Sequence, residues 1–222
     1  MDRRAYRVVD LTHVIEPETG ERPVHIERVP APHAEPDGPW YIMHRVEMTL
    51  NHVGTHIETP YHVRQEGMDI AQIPAANLCG PGILLDLTFT KPGGIVTRAD
   101  MEKAAKEAGG IREGDILLAR FDYDGTAATG RRFEAEAIAF VVDAGIKMMA
   151  VDLAGIELPE DDPRLAGQYN HHQLLDNDIC LIERAANLNQ LSQSRFFVFG
   201  MPVPIKRLDS FPVRLIALED AQ

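Results

Sequence analysis

The chain has 222 residues, 45% apolar and 25% charged, the make-up of an ordinary globular protein long enough for one good-sized core. A formal charge of −12 speaks against non-specific binding to nucleic acid or anionic membrane, and suits a protein that binds cations. No apolar run nears the ~20 residues of a membrane span. The opening MDRRAYRVVDLTH lacks the apolar stretch of a signal peptide, so a cytoplasmic protein is expected. The only cysteines, Cys79 and Cys180, sit in apolar company and read as reduced structural thiols, with a disulfide left open.

Residues 6–11 are a short apolar run suited to a strand. Residues 16–40 hold many prolines and little periodicity and read as a long loop, closed by Trp40, the single tryptophan. Residues 41–50 alternate loosely, as a strand leading into a histidine-rich segment. Residues 83–89 are a buried strand entered through the turn-like Cys79-Gly80-Pro81-Gly82. Thr97 and Asp100 form a capping box that opens a helix to about Ala108, stopped by Gly109-Gly110. A strand at 115–121, a helix at 133–144 and a strand at 148–152 follow. A second loop around Asp161-Asp162-Pro163 precedes a short helix at 171–176 and strands at 179–183, 196–199 and 213–218. With no repeat and no linker, residues 1–222 read as one domain, a strand-rich mixed α/β fold.

The chemistry concentrates in NHVGTHIETPYH, residues 51–62, which places His52, His56, Glu58 and His62 within eleven residues. Three imidazoles and a carboxylate this close are a metal-ligand set. All four lie at even positions, yet His52 and His56 would stand roughly 13 Å apart on a straight strand. The backbone must bend between them, and Gly54 bends most cheaply. Pro60 pushes Thr59 toward extended geometry, so the segment is a kinked strand or loop and not a helix. His62 lies past the proline, where it can stand near a metal without binding it. A second constellation surrounds residue 170: adjacent His171 and His172, of which at most one faces a given metal from a helix, and Glu183 ending an apolar strand.

The string HVGTHIETPYH resembles the H-x-G-T-H-x-D-x-P-x-H motif of the kynurenine formamidase-like metal hydrolases, the cyclase family that includes isatin hydrolases. Weaker likenesses follow in the expected order: VVDLTH, GPGILLDL, GDILLAR, HHQLL with IERAANLNQL, and FPVRLIAL. The resemblance implies a single domain of the swivelling β/β/α type, dimeric or higher, that hydrolyses formamides or cyclic amides with zinc or manganese. It assigns His52, His56 and Glu58 to a first metal. His171 would bind a second, bridged by Glu58 and Glu183 where the site holds two ions. His62 would transfer protons. Two departures stand out. Glu58 replaces the motif's aspartate, which leaves one or two ions open, and the early loop EPETGERPVHIERVP lacks the tryptophan of the kynurenine enzymes, so N-formylkynurenine is not expected to be an efficient substrate.

A bound divalent metal lowers the pKa of its water and polarises a carbonyl, and His62, with an ordinary pKa near ~6.5, can move a proton in either direction. The expectation is a metal-dependent hydrolase of a small amide, formamide or cyclic amide. The alternatives on the same residues are a non-catalytic metal-binding protein and a metal-dependent lyase or dehydratase. The cysteines lack an adjacent base and read as core. His13, His25, His33 and His44 read as surface or supporting groups, with His25 and His33 candidates to line the pocket.

Overall fold

The structure, a computed structural model, describes residues 6–32, 41–126 and 128–221. In chain order the strands and helices are β1 (Tyr6–Asp10), β2 (Val24–Val29), β3 (Met43–Met48), β4 (His56–Glu58), β5 (Cys79–Asp86), β6 (Ile95–Val96), α1 (Arg98–Glu107), β7 (Ile116–Arg120), β8 (Arg132–Phe133), α2 (Ala135–Asp143), β9 (Met148–Val151), α3 (Tyr169–Leu175), β10 (Cys180–Glu183), β11 (Arg195–Pro202) and β12 (Ser210–Asp220). The main sheet runs β1-β12-β11-β5-β7-β9-β10-β4, and β12 also pairs with β4. That last pairing closes seven strands into a barrel-like ring, with β1 added at the outside of β12. The four central strands β5, β7, β9 and β10 are parallel and the other pairs antiparallel.

Alternation along the parallel strands splits the core in two. Leu117 and Ala119 of β7, with Met149 and Val151 of β9, pack on Met101, Ala137, Ile138, Val141 and Leu174 of the three helices. Their neighbours Ile116, Leu118, Met148 and Ala150 point the other way, onto Ile57, Val198, Leu215 and Ala217. Because both faces are covered, these strands are buried throughout, which is why they read as unbroken apolar runs. The capping box at Thr97 and Asp100 is present in both directions, and the helix it opens ends at Ala108 as expected.

Three expectations need correction. Residues 16–40 are not all loop: β2 pairs with β3 as a separate two-stranded ribbon. Of β2 only Val24 is buried, and β3 has no buried residue, so no alternation was available to mark the first strand. Cys79-Gly80-Pro81-Gly82 is not a turn but the start of β5. A Cβ on Gly82 would lie 2.5 Å from Val198 Cγ2 and 2.7 Å from Phe196 Cε2, so the glycine serves close strand packing. Phe133 belongs to β8, paired with β6, and α2 starts only at Ala135. Cys79 and Cys180 are both free. No described helix is long and apolar enough to cross a membrane.

Candidate metal centre

The segment from Asn51 onward bends where the sequence requires it. Gly54 has φ +59°, and a Cβ there would also meet Ile15 Cγ1 at 3.0 Å. The chain then enters β4, whose Ile57 is fully buried in the ring-side core. Period two therefore turns His56 and Glu58 together to the helix side. His56 stands opposite Glu183 of β10 in the ladder, and Ile182 joins Ile57 on the far face. A 3-10 turn over Pro60–His62 carries His62 back over the same site. The last ligand candidate comes from α3, where His171 faces inward and is 6% exposed, whereas His172 faces out and pairs with Asp176. Between the adjacent histidines, His171 is thus the one at the site.

The side chains converge closely. His52 Nε2 lies 3.2 Å from Glu58 Oε1, and His56 Nε2 lies 3.7 Å from the same oxygen and 3.6 Å from Glu183 Oε2. His171 Nε2 lies 3.3 Å from Glu58 Oε2 and 3.4 Å from Glu183 Oε1. His62 Nε2 stands 4.0 Å from Glu58 Oε1. Ligands held tetrahedrally at ~2.1 Å are ~3.4 Å apart, so these separations fit donors around an ion better than direct hydrogen bonds at ~2.9 Å. Three buried atoms, His52 Nε2, His56 Nε2 and Glu58 Oε2, have no hydrogen-bond partner, which buried polar atoms rarely tolerate. The donor set and these orphans fit a divalent cation. Three groups of donors lie close enough to hold one: His52–His56–Glu58, Glu58–His171–Glu183, and His52–His62–Asp209.

Every imidazole is held from behind. His56 Nδ1 donates to the Gly54 carbonyl at 2.9 Å, His62 Nδ1 to Asp209 Oδ2 at 2.7 Å, and His171 Nδ1 to Glu157 Oε1 at 2.6 Å. Asn51 Nδ2 donates to Asp209 and to the Ser210 carbonyl, which leaves its oxygen to accept from His52 Nδ1 at 3.0 Å. Each Nδ1 thus donates to an acceptor behind the ring, and all four Nε2 atoms face the centre. Glu157 is itself fixed by backbone N–H groups of Leu158, Asn170 and His171, the latter two in the first turn of α3.

The network biases titration. Burial alone would raise the Glu58 carboxyl, but the imidazoles of His171, His52 and His56 facing it outweigh burial and hold the group well below the usual carboxylate range. Burial would lower His171, but Glu157, Glu183 and Glu58 together push it well above an ordinary imidazole. The bond to Asp209 raises His62 against its own burial. Burial would raise Asp209 too, yet the bonds from His62 and Asn51 keep it at about 2.

All the expected site residues, His52, His56, Glu58, His62, His171 and Glu183, meet here. Asp209, Glu157 and Asn51 join them without having been singled out: Asp209 and Glu157 come from distant segments and carry no spacing signal, and Asn51, though next to His52, is neither a metal ligand by type nor at the even spacing of the others. His25 does not line the pocket but pairs with Glu18 on the surface, and His44 lies on the exposed β3. His33 and Trp40 fall outside the described residues. A cavity of ≈350 Å³ opens over the centre.

Comparison with known proteins bears on the family and the fold. The family model described as "Putative cyclase" matches residues 9–158. Kynurenine formamidase of Bacillus thuringiensis (strain Al Hakam) is 27% identical over 169 residues, 74% of this chain and 75% of its own length. The Salinibacter ruber kynurenine formamidase is 25% identical over 177 residues, 77% of this chain and 76% of its own. Isatin hydrolase A from Labrenzia aggregata superposes with a TM-score of 0.83 at 22% identity, covering 97% of this chain and 94% of that one. A structure described as a potential metal-dependent hydrolase with cyclase activity gives 0.75 at 24% identity, covering 98% and 100%. These likenesses establish the fold.

Proposed function

Because the chain belongs to the cyclase family, we propose that it is a metal-dependent hydrolase that cleaves a C–N bond of a small amide, formamide or cyclic amide. The observation that carries this reading is the convergence of four Nε2 atoms on Glu58 and Glu183, with three buried atoms left unpartnered. The kynurenine formamidase relatives support the choice of amide over other substrates.

In this reading His52, His56 and Glu58 would hold one divalent ion, zinc or manganese, and His171 and Glu183, with Glu58, are the residues that would hold a second. A bound ion would supply Lewis acidity toward water and the amide carbonyl. The protein's own groups do the rest. Asp209 accepts from His62 Nδ1, fixing the ring so that Nε2 faces the cavity. There His62 takes a proton from the attacking water and returns it to the leaving nitrogen, as an imidazole near neutrality can. Glu157 and the Gly54 carbonyl keep His171 and His56 in the ligand tautomer.

The deciding experiment combines metal content per chain, on protein purified without added metal, with turnover of simple formamides in ¹⁸O-labelled water. Stoichiometric metal and one solvent oxygen in the acid product are expected. Product without solvent oxygen would sink hydrolysis in favour of a lyase. We also propose a homodimer or larger assembly, supported by Ile26, Met43 and Val46 exposed on the β2–β3 ribbon; light scattering on the purified protein tests it.

A further inference from the structure

The cavity over the metal centre is rimmed by three arginines from three separate segments: Arg22 before β2, Arg132 of β8 and Arg184 just after β10. Among the described residues no lysine lines it, and its three arginines match its three glutamates in number, whereas the whole chain carries a charge of −12. The acids nearby are committed. Glu58 and Glu183 face the imidazoles, and Glu157 is occupied by His171 and by backbone N–H groups. The arginines are not. Among the described residues, Arg22 donates only to the His52 carbonyl at 2.9 Å and Arg184 has no carboxylate partner. Arg132 touches Glu160 at 3.3 Å, a pair whose acid is 86% exposed and therefore easily exchanged for another carboxylate.

Arg132 has a second distinction. A neighbouring cavity of ≈590 Å³, walled by Ile95, Tyr123 and Leu153, shares Arg132, Ala154 and Gly155 with the cavity over the metal centre. Small residues floor the junction, and even a Cβ on Gly155 would stand 3.7 Å from Glu183 Oε1. A ligand can thus extend from the centre past Arg132 into a partly apolar chamber.

Resting on the amide-hydrolase reading, we propose that the substrate is an amide bearing a carboxylate, with that carboxylate held by Arg132 at the junction of the two cavities. A planar guanidinium grips a carboxylate through two parallel N–H bonds, which lysine cannot reproduce. Arg22 and Arg184 contribute attraction at the rim.

The test separates recognition from chemistry by using ketones with no C–N bond to cut. Dissociation constants of 3-acetylbenzoate and acetophenone are measured by ligand-observed NMR on the purified protein. The anionic probe is expected to bind about 10- to 100-fold more tightly. Arg132→Ala should erase that preference without changing metal content or melting temperature, Arg132→Lys should restore part of it, and Arg214→Ala, which lines neither cavity, should retain it. Equal binding of the two probes, no binding of either, or a preference that survives Arg132→Ala overturns the proposal. Turnover of 3-formamidobenzoate and formanilide then judges the amidase reading on its own. Failure to cleave either, with the Arg132-dependent preference intact, removes the hydrolase and keeps the carboxylate site.

Discussion

The near half of the candidate centre, residues 51–62 with Asp209, and the far half, Glu157, His171 and Glu183, are built by different means. The near half is a bend, a three-residue strand laddered between β10 and β12, and a single 3-10 turn, with the side chains of Asn51 and His62 bonded to one aspartate from the last connection. In the far half, Glu183 ends the buried strand β10 and His171 lies in the first turn of α3, both elements anchored in the helix-side core, while Glu157 comes from the connection between β9 and α3. One half is shaped locally and the other is delivered by the fold. In the proposed reading the proton-moving His62 lies on the first half, and His171, whose acceptor Glu157 is itself held by three backbone N–H groups, on the second.

The largest expected effect comes from breaking the near half at its most buried ligand. His56→Ala should lose most of the bound metal and bring amide turnover to background, and full metal stoichiometry in the variant would refute the assignment. Next is the proton-moving group of the same half. His62→Ala should keep its metal and lose about 10²–10⁴-fold in rate, mainly in kcat. Loss of metal in parallel would instead make His62 a ligand, in the grouping with His52 and Asp209.

On the far half, Glu157→Gln replaces the acceptor that fixes His171. The ring remains, but its tautomer is no longer enforced, and metal affinity should weaken about 10- to 100-fold. Competition with a chromogenic chelator measures this, and an unchanged affinity would mean that α3 alone positions the ring.

The smallest effect is a pH dependence that sharpens the contrast between ion-free and loaded protein. Folding raises His171 above its ordinary 6.5, so without metal its contribution is complete below that value and fades as pH rises through the folded value. Folding lowers Glu58 below 4.5, so its contribution is present above that value and is lost as pH falls through the folded one. A metal needs His171 unprotonated and therefore competes with this proton. The rise in melting temperature on adding metal should grow as pH increases from about 6. A gain independent of pH would show that His171 does not bind the ion.

How much of this could be read beforehand depended on where each signal resides. His52, His56 and Glu58 were legible because spacing within eight residues is a local property, and the need for a bend at Gly54 followed from the length of a strand alone. His171 and Glu183 stood out as a second constellation, but only the resemblance joined them to the first, since β10 pairs with β4 across more than a hundred residues of chain. Choosing His171 over His172 took the orientation of α3. Asp209 was invisible: an aspartate ahead of a strand is ordinary, and its importance arises when β12 crosses to pair with β4. The β2 strand was missed for the opposite reason, having almost no buried face to leave a pattern.

The pairing of β12 with β4 also sets a calendar for the molecule's birth. β12 is the seam that joins the two ends of the ring, and Asp209, which orients His62, lies directly before it. A chain growing from its N-terminus would carry almost every ligand long before that seam exists, with the partner edges of β11 and β4 still unpaired. Until the final strand arrives, the nascent protein presents open sheet edges that invite pairing with other chains. The candidate site is thus completed late, when the same stretch both seals the ring and delivers Asp209, the acceptor that orients His62.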